Sequence, residues 1–156
     1  MEKRRNIFEN YYIEDKIWPG YGISRFSFII IKKFINKRRQ DLENQINACI
    51  VLEVTRSKNK KVFIVGNYRQ WRGKSPQCTF NEYQNDHQVK RFKSLIDIWT
   101  EVTRLGPTLI LGDINIDRHP ENDPISCNEL KDLILMLDDF QESSNVTLVN
   151  SDTTRH

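Results

Sequence analysis

The chain is poor in the features that mark specialised classes of protein. Its three cysteines, Cys49, Cys78 and Cys127, lie far apart without Cys-x-x-Cys spacing, which favours reduced thiols and argues against a disulfide scaffold or a zinc site. No apolar run approaches the ~20 residues of a membrane-spanning helix; the apolar stretch at residues 26–31 contains Ser27 and ends at Lys32. No apolar signal segment follows the basic residues 3–5. We therefore expect an intracellular protein, nuclear or cytoplasmic, without a membrane partner.

Glycine and proline are also scarce, at 6 and 5 of 156 residues, whereas aromatic residues make up 10% and hydrophobic residues 38%. This composition argues against a disordered chain, because enough apolar surface is present to form a core. The length corresponds to one domain or to a piece of a larger one. Residues 1–21 show no clear pattern, and we predict that residues 22–156 form the folded domain.

Charge is unevenly distributed along the chain. Through Lys93 there are 20 Lys and Arg against 9 Asp and Glu, whereas from Ser94 onward there are 4 against 12. The basic half contains clusters at residues 37–39, 58–61, 69–74 and 90–93. A basic face beside an acidic site suits an enzyme that handles a polyanion, since cations hold phosphates. An ordinary solvated surface explains the same pattern.

Hydrophobic patterning predicts a mixture of strands and helices. Segments rich in β-branched and aromatic residues predict strands at Ser27–Phe34, Ile46–Val54, Lys61–Asn67, Thr108–Leu111 and Val146–Val149. The second and third segments are joined by a short polar turn, which predicts a hairpin, and Thr108–Leu111 is apolar throughout, as in a buried strand. Residues 18–22 predict a turn.

Apolar residues at three- and four-residue steps predict two amphipathic helices. The first has Val89, Phe92, Ile96, Trp99 and Val102 on one face. The second follows a capping box at Ser126 and Glu129 and has Leu130, Leu133, Ile134, Leu137 and Phe140 on one face. Strands alternating with helices predict the α/β fold class.

The candidate chemistry lies at the ends of two predicted strands. Gly112-Asp113-Ile114-Asn115 follows the apolar strand, and in extended geometry Asp113 and Asn115 point to the same side. An Asp accepts a proton from water, and an Asn amide orients that water or a phosphate oxygen. Tyr68 and Arg69 end the second strand of the hairpin, where a phenol and a guanidinium can contact a phosphodiester. Plain turn formation explains the same residues.

Together these motifs resemble the endonuclease/exonuclease/phosphatase superfamily, and most closely the apurinic-type endonuclease domain that precedes reverse transcriptase in non-LTR retrotransposons. The resemblance runs from about Gly22 to the end and depends on Asp41–Ile50, Tyr68-Arg69 and Gly112-Asp113-Ile114-Asn115. The Thr153-Thr154-Arg155 tail is similar to the segment before a later family motif.

The resemblance implies a two-sheet α/β sandwich that hydrolyses phosphodiester bonds with the help of Mg²⁺. Asp113 would prepare the attacking water, Asn115 would position that water or a phosphate oxygen, and Tyr68 would lie against the scissile phosphate. Arg69 and Thr154 would contact the substrate. The implied partner is DNA, with covalent linkage to a reverse transcriptase in the parent protein and no small-molecule cofactor.

The sequence also departs from the family pattern. The metal-binding Glu that follows a Gln on an N-terminal strand has no counterpart, and the closing Ser-Asp-His motif would fall beyond His156. Gln70 and Trp71 stand where many relatives have Pro and Asn. We therefore expect a fragment of a DNA endonuclease domain, truncated at both ends, with no metal ligand assigned and weak or no activity alone. Unpaired sheet edges would then favour aggregation.

Two alternatives stay open at this point. The chain is either a non-catalytic nucleic-acid-binding remnant that uses its basic first half, or a phosphatase or phosphodiesterase of the same fold, because a fold does not fix its substrate.

Overall fold

The computed structural model describes residues 11–20, 22–31, 35–44, 47–55, 60–69, 85–116 and 127–147. Six strands and two helices occupy these ranges. In chain order they are β1 (Tyr11–Gly20), β2 (Gly22–Ile31), β3 (Ile35–Arg38), a short 3₁₀ helix (Gln40–Leu42), β4 (Ala48–Thr55), β5 (Lys61–Tyr68), α1 (Asn85–Leu105), β6 (Thr108–Asp113) and α2 (Cys127–Ser144).

The strands form a two-stranded and a four-stranded sheet. β1 and β2 are an antiparallel hairpin in which Tyr11 pairs with Ile31 and Gly20 with Gly22. The larger sheet has the order β3-β4-β5-β6; β4 is antiparallel to β3 and to β5, whereas β5 and β6 are parallel. The predicted α/β class is thus confirmed, as is the β4–β5 hairpin. The two-sheet sandwich stays a prediction.

The chain divides into two compact units. The first, which we call the sheet unit, consists of Met1–Tyr68 and Glu101–Asp113. The second, the helical unit, consists of Arg69–Thr100 and Ile114–His156. Helix α1 therefore contributes most of its length to the helical unit and its last residues to the sheet unit.

The core of the sheet unit is centred on β4. The strand is buried over consecutive positions, namely Ala48, Cys49, Ile50, Val51 and Leu52. Because neighbouring residues of a strand point to opposite faces, both faces of β4 are covered. The backbone of the β1–β2 hairpin lies beside β4 and β5. On β5 burial alternates: Phe63, Val65 and Asn67 are buried, whereas Val62, Ile64 and Tyr68 are partly exposed.

Strand β6 is not the buried strand that its apolar sequence predicts. Leu109 and Leu111 are 49% and 42% exposed, and Thr108 and Ile110 are only partly buried. Within the described ranges, β6 has a neighbouring strand on one side only. The apolar sequence therefore predicted the strand correctly but not its burial. Burial depends on which elements pack against the strand.

The core of the helical unit joins α1 to α2. Phe92 and Trp99 of α1 meet edge to face at 6.0 Å between ring centroids, and Trp99 lies 5.4 Å from Phe140 of α2. Leu133 and Leu137 are also buried. Both predicted helices are confirmed, and the aromatic stripe on α1 is core rather than a platform for stacking bases. Leu95 and Ile98 are buried on α1, whereas the predicted Ile96 is only partly buried.

Three further differences from the predictions concern β1, the turn after it and the predicted strand Val146–Val149. Trp18, Pro19 and Gly20 belong to β1, and the chain reverses between Gly20 and Gly22 instead of through the whole 18–22 segment. Residues 11–20, which had no clear pattern, form β1. Residues 146–147 are not a strand, and the rest of the predicted strand Val146–Val149 lies outside the described residues.

Two leucines of α2 provide a matched test of this packing. Leu133 is 1% exposed and Leu135, on the outer side of the same helix, is 60% exposed. We expect Leu133→Ala to lower the free energy of unfolding by about 2–5 kcal/mol, because it leaves a cavity. Leu135→Ala should change it by no more than about 0.5 kcal/mol. Urea denaturation followed by circular dichroism measures both, and equal effects would contradict the assigned face of α2.

Candidate active site at the ends of β5 and β6

The structure brings Tyr68 and Asp113 together. They are register partners on the parallel strands β5 and β6, and each is the last residue of its strand. Adjacent strands lie about 4.8 Å apart, and residues opposite one another point to the same face of a sheet. Tyr68 is partly buried and Asp113 is exposed. A phenol and a solvent-accessible carboxylate therefore stand side by side at the carboxyl ends of these strands, where α/β proteins bind ligands.

Gly112 makes this close approach possible. Its φ is +128°, in a region that L side chains rarely adopt. A Cβ atom at this position would overlap the backbone carbonyl oxygen of Asn67 and would lie 2.8 Å from its carbonyl carbon. Asn67 is the register partner of Gly112. The glycine before Asp113 is thus required by the backbone of the neighbouring strand and is not merely a turn former.

Arg69 and Asn115 hold each other's backbones. The Arg69 Nε donates to the carbonyl oxygen of Ile114 at 2.6 Å, and its Nη2 donates to that of Asn115. In return, the Asn115 Nδ2 donates to the carbonyl oxygen of Arg69 at 2.7 Å. Asn115 has a φ of +48°, a left-handed conformation that asparagine tolerates. We call this reciprocal set of hydrogen bonds the Arg69–Asn115 clasp; it joins the segments that follow β5 and β6.

The clasp changes the interpretation of two predicted site residues. The guanidinium of Arg69 and the amide nitrogen of Asn115 both donate to main-chain oxygens, so these groups fix loops. Their contact with a substrate stays a prediction. The amide nitrogen of Asn115 thus reaches a residue 46 positions away in the sequence. Thr154 lies outside the described residues.

Asn67 is a polar residue that sequence patterning missed. It is 1% exposed, and neither Nδ2 nor Oδ1 has a hydrogen-bond partner among the residues that the structure describes. Alternation along β5 places its side chain on the face opposite that of Tyr68. The available signal for a buried Asn67 was its position after Phe63 and Val65 in an apolar strand. From sequence alone, however, Asn67 cannot be distinguished from an exposed polar residue that ends the strand.

Three cations of the predicted basic clusters, Arg38, Arg39 and Lys61, form ion pairs within the described ranges. Arg38 donates from Nε and Nη2 to both carboxylate oxygens of Glu43, at 3.0 and 2.9 Å. Glu43 in turn accepts from the backbone nitrogen of Val51 at 3.0 Å. Arg39 binds Asp41 at 2.6 Å between Nη2 and Oδ2. Two-pronged contacts of this kind fix both partners and neutralise their charges locally.

Glu53 on β4 extends this arrangement into a network. It accepts from Arg39 at 2.9 Å and from Lys61 at 2.7 Å. The hydrogen bond from Lys61, followed by that from Arg39, holds the pKa of Glu53 below its ordinary value. Arg39 likewise lowers the pKa of Asp41, and these two carboxylates raise the pKa of Arg39. The arginines at 38 and 39 therefore stabilise the sheet unit instead of forming an open phosphate site.

Among the described residues, the structure assembles no complete ligand set for Mg²⁺. Within these ranges, no group of three or more His, Cys, Asp or Glu side chains is placed to hold a metal ion. Mg²⁺ prefers near-octahedral oxygen ligation and is usually held by one or two carboxylates together with water or substrate oxygens. Asp113 alone is a partial ligand set, so the geometry assigns no metal position.

Comparison with protein-family models, curated proteins and solved structures gives no match. Neither helix in the described part of the chain is both long and apolar enough to cross a membrane. What the site does must therefore be argued from its own residues.

Replacing Gly112 tests the geometry of the strand ends. We expect Gly112→Ala to lower the free energy of unfolding by about 2 kcal/mol or more, because backbone strain adds to overlap with Asn67. Gly106→Ala is the comparison, because Gly106 also has a positive φ, of +158°, but its added Cβ would lie 3.4 Å from the Phe63 ring. A ring edge yields more easily than a backbone, so the two variants differ mainly in steric overlap. Thermal unfolding of both variants gives the values. Equal losses would mean that β5 and β6 do not approach so closely at Gly112.

Acid titration tests the ion-pair network. The folded-state pKa values of Asp41 and Glu53 are lowered, so their contribution is complete above the ordinary carboxylate range and is lost as pH falls through the lowered values. We expect Glu53→Gln to flatten the fall in stability below pH 4.5, the ordinary value for glutamate. Glu142→Gln, at an exposed position on α2, should leave the profile unchanged. Superimposable profiles for Glu53→Gln and the parent would contradict the network.

Proposed function

We propose that this chain is part of a phosphodiester hydrolase of the endonuclease/exonuclease/phosphatase type, acting on DNA in a retroelement protein. The observation that supports the proposal is the pairing of Tyr68 with Asp113 at the carboxyl ends of parallel strands. Tyr68 and Asp113 are 45 positions apart in the sequence, and the resemblance to this superfamily implies a role in hydrolysis for both. Covalent linkage to a reverse transcriptase in the parent protein belongs to the same proposal.

The two side chains suit complementary roles in hydrolysis. The exposed Asp113 carboxylate accepts a proton from the attacking water, as a general base does. The Tyr68 hydroxyl, on the same face of the sheet, donates a hydrogen bond to a phosphate oxygen as negative charge develops there. The Arg69–Asn115 clasp fixes the segments that follow the two strands and so limits their motion.

Turnover by this chain is proposed to be slow. The resemblance implies Mg²⁺, but the described residues offer no complete ligand set for it. A hydrolase that lacks this charge stabilisation loses several kcal/mol of transition-state binding. What remains is a general base, a hydrogen-bond donor and a pre-organised backbone.

A nicking assay at high protein concentration tests this proposal. We expect slow conversion of supercoiled plasmid to the open-circular form, reduced at least about 100-fold in Asp113→Asn because the general base is lost. Tyr68→Phe should reduce the rate about 10-fold, the equivalent of one hydrogen bond to a charged group. Asp97→Asn, an exposed position on α1, should cut like the parent. Equal nicking by the parent and Asp113→Asn would exclude Asp113 from the mechanism.

The same protein preparation also tests a second candidate function, which is the binding of nucleic acid without catalysis. The absence of a three-residue metal cluster from the described ranges favours it, and exposed lysines at positions 90 and 93 of α1 supply cations. Parent protein that binds DNA but does not nick it supports this function. Its affinity should then fall steeply between 50 and 200 mM salt, on the order of tenfold for each pair of phosphate contacts.

A further inference from the structure

Among the described elements, strand β6 has a main-chain edge without a neighbouring strand. The carbonyl oxygen of Pro107 accepts from the backbone nitrogen of Phe63 on β5 at 2.8 Å. Since main-chain groups of successive residues alternate in direction, positions 107, 109, 111 and 113 bond toward β5. Thr108, Ile110 and Gly112 then direct their N–H and C=O groups away from the sheet. In the described ranges no strand lies on that side.

The edge lacks the devices that usually prevent strands from pairing between molecules. From Thr108 to Gly112 there is no charged residue and no proline. Leu109 and Leu111 stand on one face of the strand and are among the most exposed large apolar side chains of the described chain. At the opposite edge of the sheet, β3 carries the exposed Lys37 and the ion-paired Arg38, so that edge is protected.

We propose that two copies of this chain associate through β6, with the two strands antiparallel about a two-fold axis at Ile110. This register pairs Ile110 with Ile110 of the second copy and Thr108 with Gly112 of the second copy. The outward-pointing residues are symmetric about Ile110, so every outward N–H and C=O between Thr108 and Gly112 gains a partner. A register displaced along the strand leaves some of them unpaired.

Side chains support the same register. Leu109 falls opposite Leu111 of the second copy in a pair without main-chain hydrogen bonds, where facing side chains come closest. Both leucines and their two symmetry mates therefore form one apolar cluster on a continuous sheet. The register also carries the exposed Asp113 toward the segment of the second copy that enters β6 from α1, whose last turn has the exposed Arg104.

The association is expected to be closed. An isologous contact uses the same patch on both copies and ends with two subunits. At the other edge of the four-stranded sheet, the charged Lys37 and Arg38 of β3 disfavour a second pairing of the same kind. A second copy is thus the occupant that this edge fits, in preference to an unrelated strand.

Sedimentation analysis across a concentration series tests the proposal. The parent chain should be dimeric at high concentration, and Leu111→Lys should weaken dimerisation at least about tenfold because it buries a charge in the leucine cluster. Leu135→Lys is the matched control, an exposed leucine on α2, and should dimerise like the parent. Circular dichroism melts establish that each variant is folded.

Cross-linking provides the second measurement. In an antiparallel pair with mutual hydrogen bonds the two Cα atoms lie about 5.5 Å apart, within the range that a disulfide spans. Ile110→Cys should therefore form a covalent dimer on mild oxidation faster than the parent with its native cysteines. A monomeric parent at all concentrations, loss of dimer in Leu135→Lys to the same degree as in Leu111→Lys, or no excess cross-linking by Ile110→Cys would each overturn the proposal.

Discussion

The close contact between the ends of β5 and β6 is the constraint on which the candidate site depends. The carbonyl group of Asn67 occupies the space where a side chain at position 112 would lie, so glycine is required there and its φ of +128° is accessible. At the ends of these strands, Tyr68 and Asp113 are register partners. The glycine therefore acts through the backbone, and the chemistry belongs to the residues that follow it. Sequence motifs of this kind combine a steric requirement with a chemical one, and the structure separates the two.

The ion pairs of the sheet unit contribute to folding more than to the binding of a ligand. A guanidinium bonded to two carboxylates, as in Arg39 with Asp41 and Glu53, has little potential left to attract a phosphate. Exchanging these partners for a nucleic acid would leave carboxylates beside an incoming polyanion, which is unfavourable. Among the described residues, the positive charges of Arg38, Arg39 and Lys61 are consequently not fully available to DNA. The exposed lysines at positions 90 and 93 of α1 are better placed for such contacts.

The sequence predicted the helices and strands better than it predicted their burial and long-range contacts. The helical stripes and the runs of β-branched and aromatic residues in β4 and β5 are local signals, so α1, α2 and the hairpin could be predicted directly. Strand β6 was expected to be buried because Leu109 and Leu111 are apolar, but their exposure depends on which elements cover that face. Strand β1 was missed, since Trp18, Pro19 and Gly20 have the composition of a turn. The Arg69–Asn115 clasp was also missed, because it joins residues 46 positions apart and no local pattern encodes it.

The alternation of main-chain groups along β6 separates its two proposed uses. Positions 109, 111 and 113 bond inward to β5, and this set includes Asp113, which stays beside Tyr68 as long as those bonds persist. The outward set at positions 108, 110 and 112 contains no titratable side chain. Pairing along the outer edge therefore requires no change in the bonds that position the carboxylate, and it adds partners to a strand that has only one neighbour among the described elements. A strand with a neighbour on both sides resists local opening more than an edge strand does. Association would on this account hold Asp113 more firmly in place without entering the reaction itself.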